Sequence, residues 1–177
     1  MRHVAGVDEV GRGCLAGPVL AGAVILDPLR PVDGLRDSKL LEPSRREALA
    51  AAIEARAIAV AFGMSDVGEI DATNILRATE QAMRRAVEAL LVTPDYLLVD
   101  ALAIPGTSIP QRGIVHGDRL CASIAAASIV AKVRRDALMR TLHADWPAYR
   151  FDENKGYGTP RHLEALERHG ASPLHRT

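Results

Sequence analysis

Four acidic residues stand where strands or helices are expected to end or begin. Asp8 and Glu9 close a short apolar run over residues 4–7, Asp100 closes another over 96–99, and Asp118 precedes a long helical stretch that starts near residue 120. Adjacent strand ends in one sheet can bring such acids together. Carboxylates crowded into one cleft repel each other unless cations sit between them. Oxygen-only donor sets suit Mg2+ and Mn2+. Two such ions about 3.5–4 Å apart can clamp a phosphodiester, activating water on one side and stabilising the leaving oxygen on the other.

Each acid also has an ordinary structural alternative. Asp118 sits where a helix N-cap belongs. Asp100 can open a turn after its strand, and Asp8-Glu9 can be a solvated strand end. The neighbouring turn favours chemistry. Gly11-Arg12-Gly13 follows directly on Asp8-Glu9-Val10. Glycines there let backbone amides approach a ligand closely, and the arginine can meet a phosphate.

The elements that must position these groups follow from hydrophobic periodicity. Residues 4–7 read as a buried strand and 19–26 as a second, β-prone strand pairing with it. Residues 27–34 read as loop. A helix is expected over 44–56, a third strand over 58–62, and a long helix over 70–91 on the spacing of Ile75, Ala78, Ala82, Ala86 and Leu90. A buried strand follows at 96–99 and a short one at 113–116. A second long helix is expected over 120–142, whose Ala125-Ala126-Ala127 segment permits close approach to a neighbour. A last helix runs over 161–169, stopped by Gly170 and Pro173. Strands first, then strands alternating with helices, describe a mixed-sheet α/β domain. The expectation is a single domain over residues 1–177, with a small C-terminal appendage from about residue 145.

Composition sets the outer limits. With 177 residues, 48% hydrophobic and 25% charged, the chain can bury one real core, aliphatic rather than aromatic. Two cysteines, Cys14 and Cys121, make neither a disulfide framework nor a zinc site. The sequence has no leader-like start and no apolar run of bilayer length, so a cytoplasmic protein without membrane contact is expected. Formal net charge is zero, yet residues 112–161 carry nine Lys/Arg against five Asp/Glu. Such a local basic surface can bind phosphates in a neutral protein. A solvated mixed-charge face is the alternative.

The segment from Asp8 through Gly11-Arg12-Gly13 and Gly17-Pro18 to Val19 resembles the N-terminal signature of the ribonuclease HII family. Further matches follow in the family's order. They are Asp37-Ser38-Lys39, Leu98-Val99-Asp100, Gly117-Asp118, the block from Ser123 to Val133 with Arg135-Asp136, and Gly156-Tyr157-Gly158-Thr159. The resemblance spans residues 4–176. It implies a ribonuclease H-like fold and a four-acid site of Asp8, Glu9, Asp100 and Asp118 holding Mn2+ or Mg2+. It implies that Gly11, Arg12 and Gly13 read the ribose 2′-OH, mainly through backbone groups, and that Tyr157 stacks on the adjoining sugar. A 2′-OH is the group that marks RNA at a given site, and an aromatic ring adds stacking without reading a base. The implied activity is hydrolysis of the RNA strand of RNA–DNA hybrids, with cutting 5′ of single ribonucleotides in duplex DNA, leaving 5′-phosphate and 3′-hydroxyl ends. The enzyme is expected to act as a monomer.

Ser128 and Lys132 lie four apart and so share a helix face. Lys132 and Lys39 are candidate phosphate contacts, with exposed lysines as the alternative. Asp136 reads as structural. Two departures from the family pattern stand out. His116 replaces the usual lysine before Gly117-Asp118, which makes pH-dependent activity an expectation. Cys121 stands where small polar residues are common and reads as a small buried hydrophobe. Two other functions compete: a DNA resolvase or exonuclease of the same broad fold, and a non-catalytic nucleic-acid-binding protein. The glycine turn with Tyr157 argues against the first. Four carboxylates gathered without metal, a costly arrangement, argue against the second.

Overall fold

The computed structural model describes residues 3–35 and 42–177. The Asp37-Ser38-Lys39 motif, with Lys39 as candidate phosphate contact, lies outside the described residues. Five strands form one mixed sheet in the order β3-β2-β1-β4-β5. β1 (Val4–Val10) pairs antiparallel with β2 (Val19–Ile25), and β2 antiparallel with β3 (Ala59–Ser65). β4 (Tyr96–Asp100) and β5 (Gln111–Ile114) continue the sheet in parallel from β1. β1 therefore sits at the centre, and the strand ends that carry acids lie side by side.

Helices cover both faces. On one face α3 (Ile75–Glu88) buries Ala78, Ala82, Met83 and Ala86 against Ala5 and Val7 of β1 and the inward residues of β2 and β3. On the other face, α1 (Pro43–Arg56) and α5 (Ala122–Asp145) enclose Ile53, Ala125, Ala126, Ala127, Ile129 and Val130 with Val24. The alanine segment does what its composition suggests. A side chain on Gly6 would meet the Ser123 carbonyl carbon at 2.0 Å, and one on Gly22 the Ala127 carbonyl oxygen at 2.8 Å. Helix α5 thus lies almost on the sheet backbone, close enough to place its own side chains beside the end of β1.

A third cluster ties the C-terminal part to the rest. Tyr149, Phe151 and Ala165 pack with Met139 of α5 and Ala16. They come from a 3-10 turn (Pro147–Tyr149), the short α6 (Phe151–Asn154) and α7 (Pro160–His169). Thr159 caps α7 by accepting from the His162 amide, and Pro160 occupies its first turn. The expected mixed sheet with flanking helices and a helical C-terminal part is what the chain forms.

Two expectations need correction. The helix expected over 70–91 is two helices, α2 (Val67–Ala72) and α3. Asp66 and Glu69 form a capping box at the first, and the Asn74 side chain accepts from the Arg77 amide to start the second. The apolar spacing continues across that break, which hides it from a periodicity count. Likewise the helix after residue 117 is split. Asp118 belongs to α4 (Gly117–Leu120), and Cys121 lies in extended conformation between α4 and α5. Cys121 is half-buried at this break rather than inside a helix.

Candidate active site

The parallel register of β1 and β4 brings the first acids together. Val7 pairs with Val99, so Asp8 and Asp100, one residue further on each strand, project from the same face. Glu9 joins them. Ligand atoms of Asp8, Glu9 and Asp100 all lie within 4.8 Å of one another. They line a cleft of about 360 Å³ with Gly11 and Arg12 of the glycine turn, Ser128 and Lys132 of α5, Tyr157, and Arg46 of α1. Arg46 had not been singled out from the sequence. It follows the undescribed segment by a few residues, and its place in the cleft depends on how α1 packs on α5.

The acids are held by neutral donors. The Gly117 amide donates to Asp100 Oδ1 at 2.7 Å, and the Glu9 amide to Asp8 Oδ1 at 2.8 Å. The Ser128 hydroxyl donates to Asp8. Arg12 Nη1 reaches Glu9 Oε1 at 3.4 Å from an exposed position, an ion pair worth little in water. Burial first, then the negative charge of Glu9 and of Asp100, pushes the Asp8 carboxyl well above its usual range. Burial likewise raises Glu9, with Arg12 opposing it and Asp100 adding to it. Glu9 Oε2 is buried and has no hydrogen-bond partner among the described residues. A dense group of oxygen donors, two of them strained toward protonation and one orphaned, is what a divalent cation would relieve. The donor set therefore fits Mg2+ or Mn2+.

Asp118, the fourth expected acid, is buried at the start of α4, one residue from the amide that binds Asp100. It is outside the group of three whose ligand atoms converge. His116 is exposed, in left-handed conformation, with its carbonyl accepting from the Arg119 amide. Lys132 pairs with Asp136 at 2.7 Å and its ammonium stands 5.6 Å from the centre of the Tyr157 ring. Asp136 is thus tied to Lys132, in keeping with a structural role. Tyr157 is 38% exposed, with its hydroxyl raised by burial and by the neighbouring Cys14. Gly13 is exposed, with open space where a side chain would begin, and is not among the residues that line the cleft.

The turn itself is clamped from behind. Arg135 is wholly buried and donates to the carbonyls of Pro18, Ala16 and Lys155 at 2.9, 3.1 and 2.7 Å. Arg176 donates to the carbonyls of Gly11, Arg12 and Gly17 at 2.6, 2.9 and 3.0 Å. The amides of Leu15 and Gly17 bond to Gly156 and Leu174. One arginine from α5 and one from the C-terminal segment thus set the shape of the loop beside the acids. Neither was assigned a role from the sequence, because a buried arginine is uncommon enough that composition does not suggest it.

Residues 5–177 match the family model described as Ribonuclease HII. The chain belongs to the ribonuclease HII family. It is 56% identical over 174 residues to the ribonuclease HII of Desulfitobacterium hafniense (strain DSM 10664 / DCB-2), covering 98% of this chain and 67% of that one. It is 53% identical over 173 residues to the ribonuclease HII of Idiomarina loihiensis, covering 98% and 92%. In three dimensions it superposes on the ribonuclease H2 of Pyrococcus horikoshii OT3 with a TM-score of 0.81 at 27% identity, covering 98% of this chain and 92% of that one. The sheet with its flanking helices is thus a ribonuclease H-like fold. As a ribonuclease HII, the chain is an endoribonuclease, a phosphodiester hydrolase that acts on the RNA strand of RNA–DNA hybrids with a divalent metal cofactor. Among the described residues no helix is long and apolar enough to cross a membrane.

Proposed function

We propose that this ribonuclease HII cuts hybrids and also duplex DNA holding a single ribonucleotide, on the 5′ side of that ribonucleotide, acting as a monomer and one domain. The observation that carries the reading is the position of the Gly11-Arg12 turn and Tyr157 on the walls of the cleft whose floor is Asp8, Glu9 and Asp100. Acids that cut any phosphodiester need no such wall. A ribose reader beside them explains it.

Asp8, Glu9 and Asp100 would hold the metal, with Asp118 completing the set from α4. The metal would supply an activated water, charge neutralisation on the phosphate and support for the departing oxygen. The backbone of Gly11, Arg12 and Gly13 presents donors and acceptors to the 2′-OH. Tyr157 stacks on the neighbouring sugar, and its ring is backed by Lys132. Lys132 and Arg46 face the cleft as phosphate contacts, and the sequence motif assigns the same role to Lys39, which lies outside the described residues. Ser128 keeps Asp8 oriented. Water forms the new bond to phosphorus and the P–O3′ bond breaks, leaving a 5′-phosphate on the ribonucleotide and a 3′-hydroxyl upstream. Base identity matters little, because among the described residues no base-reading element lines the cleft.

The test is cleavage of a DNA duplex carrying one ribonucleotide, with Mg2+, with Mn2+ and with chelator, beside an all-DNA duplex. Metal-dependent cutting only at the 5′ side of the ribonucleotide is expected. Cutting of the all-DNA duplex would move the reading to a resolvase-like nuclease. Cutting of neither duplex, with long hybrids still cleaved, would remove the single-ribonucleotide activity.

A further inference from the structure

Behind Tyr157 lies a polar chain that none of the cleft chemistry uses. His162 Nδ1 is 2.8 Å from the Tyr157 carbonyl oxygen. His162 Nε2 is 3.0 Å from His175 Nε2. His175 Nδ1 is 2.9 Å from the Ser172 amide and 2.8 Å from its hydroxyl. His162 is fully buried and His175 nearly so. Phe151 meets His162 edge-on at 5.6 Å, and Tyr149 tilts over His175 at 4.8 Å.

The two ends of this chain fix every proton in it. The carbonyl of Tyr157 only accepts, so His162 must carry its hydrogen on Nδ1. The Ser172 amide only donates, so His175 Nδ1 must be bare. One hydrogen remains for the contact between the rings, on His175 Nε2, and His162 Nε2 accepts it. Both rings are neutral, and a third proton would set two N–H groups against each other. Burying two imidazoles in an aromatic box is costly unless each nitrogen is satisfied. An apolar pair would fill the space without that requirement. What the imidazoles add is a directional bond to the backbone of Tyr157.

We infer that His175, acting through His162, positions the Tyr157 backbone and so aims its ring into the cleft, making the C-terminal Ser172–Arg176 segment a working part of the active site. The inference rests on Tyr157 being the ring that meets the sugar. His162 and His175 are positioning residues, remote from the reacting atoms. The proton assignment follows from donor and acceptor chemistry alone, and the low proton affinity that burial gives His175 agrees with it.

Two measurements test this. The first is 15N–1H correlation of the imidazoles in the intact chain at pH 7.5. His162 is expected as the Nδ1–H tautomer and His175 as the Nε2–H tautomer; either ring in the other tautomer overturns the relay while leaving the role of Tyr157 untouched. The second is kcat/KM on the single-ribonucleotide duplex for His175→Phe and His175→Gln, alone and combined with Tyr157→Ala. His175→Phe should lose about tenfold, a coupling of the size contacting residues show, and should lose nothing further in the Tyr157→Ala background. His175→Gln keeps a donor at the ε position and should recover most of the loss. Equal losses in both backgrounds would reduce His175 to a packing residue. If Tyr157→Ala alone cuts as fast as the parent, the ring's role falls and the positioning role falls with it, whatever the tautomers.

Discussion

The Arg135 guanidinium occupies the space where a side chain on Gly11 would have to begin. A Cβ there would meet Arg135 Nε at 2.3 Å, and Gly11 has φ +96, a conformation side chains rarely adopt. Gly13, two residues on, has nothing within 4 Å of the same position. Gly11→Ala should therefore destabilise the fold by about 2–5 kcal/mol, from strain and overpacking together. Gly13→Ala should leave stability within about 0.5 kcal/mol. Urea unfolding separates the two. A drop in cutting by stable Gly13→Ala would then report on the 2′-OH contact itself. Unchanged cutting would remove Gly13 from the reader.

Arg135 spends its charge on backbone carbonyls. Arg135→Met should take the guanidinium donors from the Ala16, Pro18 and Lys155 oxygens, leaving Lys155 only the Cys14 thiol, at about 1–3 kcal/mol for each buried group left unpaired. Arg135→Lys should recover only part, because one ammonium cannot reproduce the planar fork. The expected order in thermal unfolding is parent, then Lys, then Met. Equal melting of Lys and parent would contradict the fork.

Asp8 should be a stability liability when metal is removed. Its folded carboxyl binds protons more tightly than in the unfolded chain. The folded state therefore holds more protons, and stability falls as pH rises through the folded pKa. In chelator at pH 8, Asp8→Asn should melt higher than the parent while losing all cleavage. Adding Mg2+ or Mn2+ should raise the parent's Tm and move the variant much less. A variant that melts lower in chelator would refute the account of the crowded carboxylates.

His175 gives the opposite sign. Its folded form binds protons less tightly than the ordinary value of 6.5. The unfolded chain then takes up more protons, so stability should be full above about pH 7 and decline as pH falls through that value. Comparing urea midpoints at pH 7.5 and 5.5 for the parent and His175→Gln isolates the contribution. A pH slope identical in both would assign it elsewhere.

Much of the site could be read from residue order. Asp8 and Asp100 both close apolar runs of strand length, and parallel neighbours of matched register put such ends together. The Gly11-Arg12-Gly13 turn is visible because glycine and arginine beside acids are unusual. Ser128 and Lys132 share a face by helical arithmetic, and both line the cleft. The break at Thr73 was hidden because apolar spacing continues through it and its capping groups are small polar residues common everywhere, and the break at Cys121 because no side chain caps it. Arg46, Arg135, His162, His175 and Arg176 were missed for a different reason. Arg135 and Arg176 act across more than a hundred positions, and the histidines act through ring-to-ring and ring-to-backbone bonds, neither of which apolar periodicity reports.

The Arg176 clamp on Gly11 closes across 165 positions. The antiparallel pairs that start the sheet, β1 with β2 and β2 with β3, need nothing beyond residue 65. Chain synthesis is vectorial, and long loops close after short ones. A growing polypeptide can therefore gather its sheet, and even Asp8, Glu9 and Asp100, while the turn beside them is still loose. Arg135 can bond the carbonyls of Ala16, Pro18 and Lys155 once residue 155 is made, whereas the grip of Arg176 on Gly11, Arg12 and Gly17 must wait for residue 176. The turn beside the acids thus gains its Arg176 grip later than the sheet that carries Asp8 and Glu9 gains its antiparallel pairs.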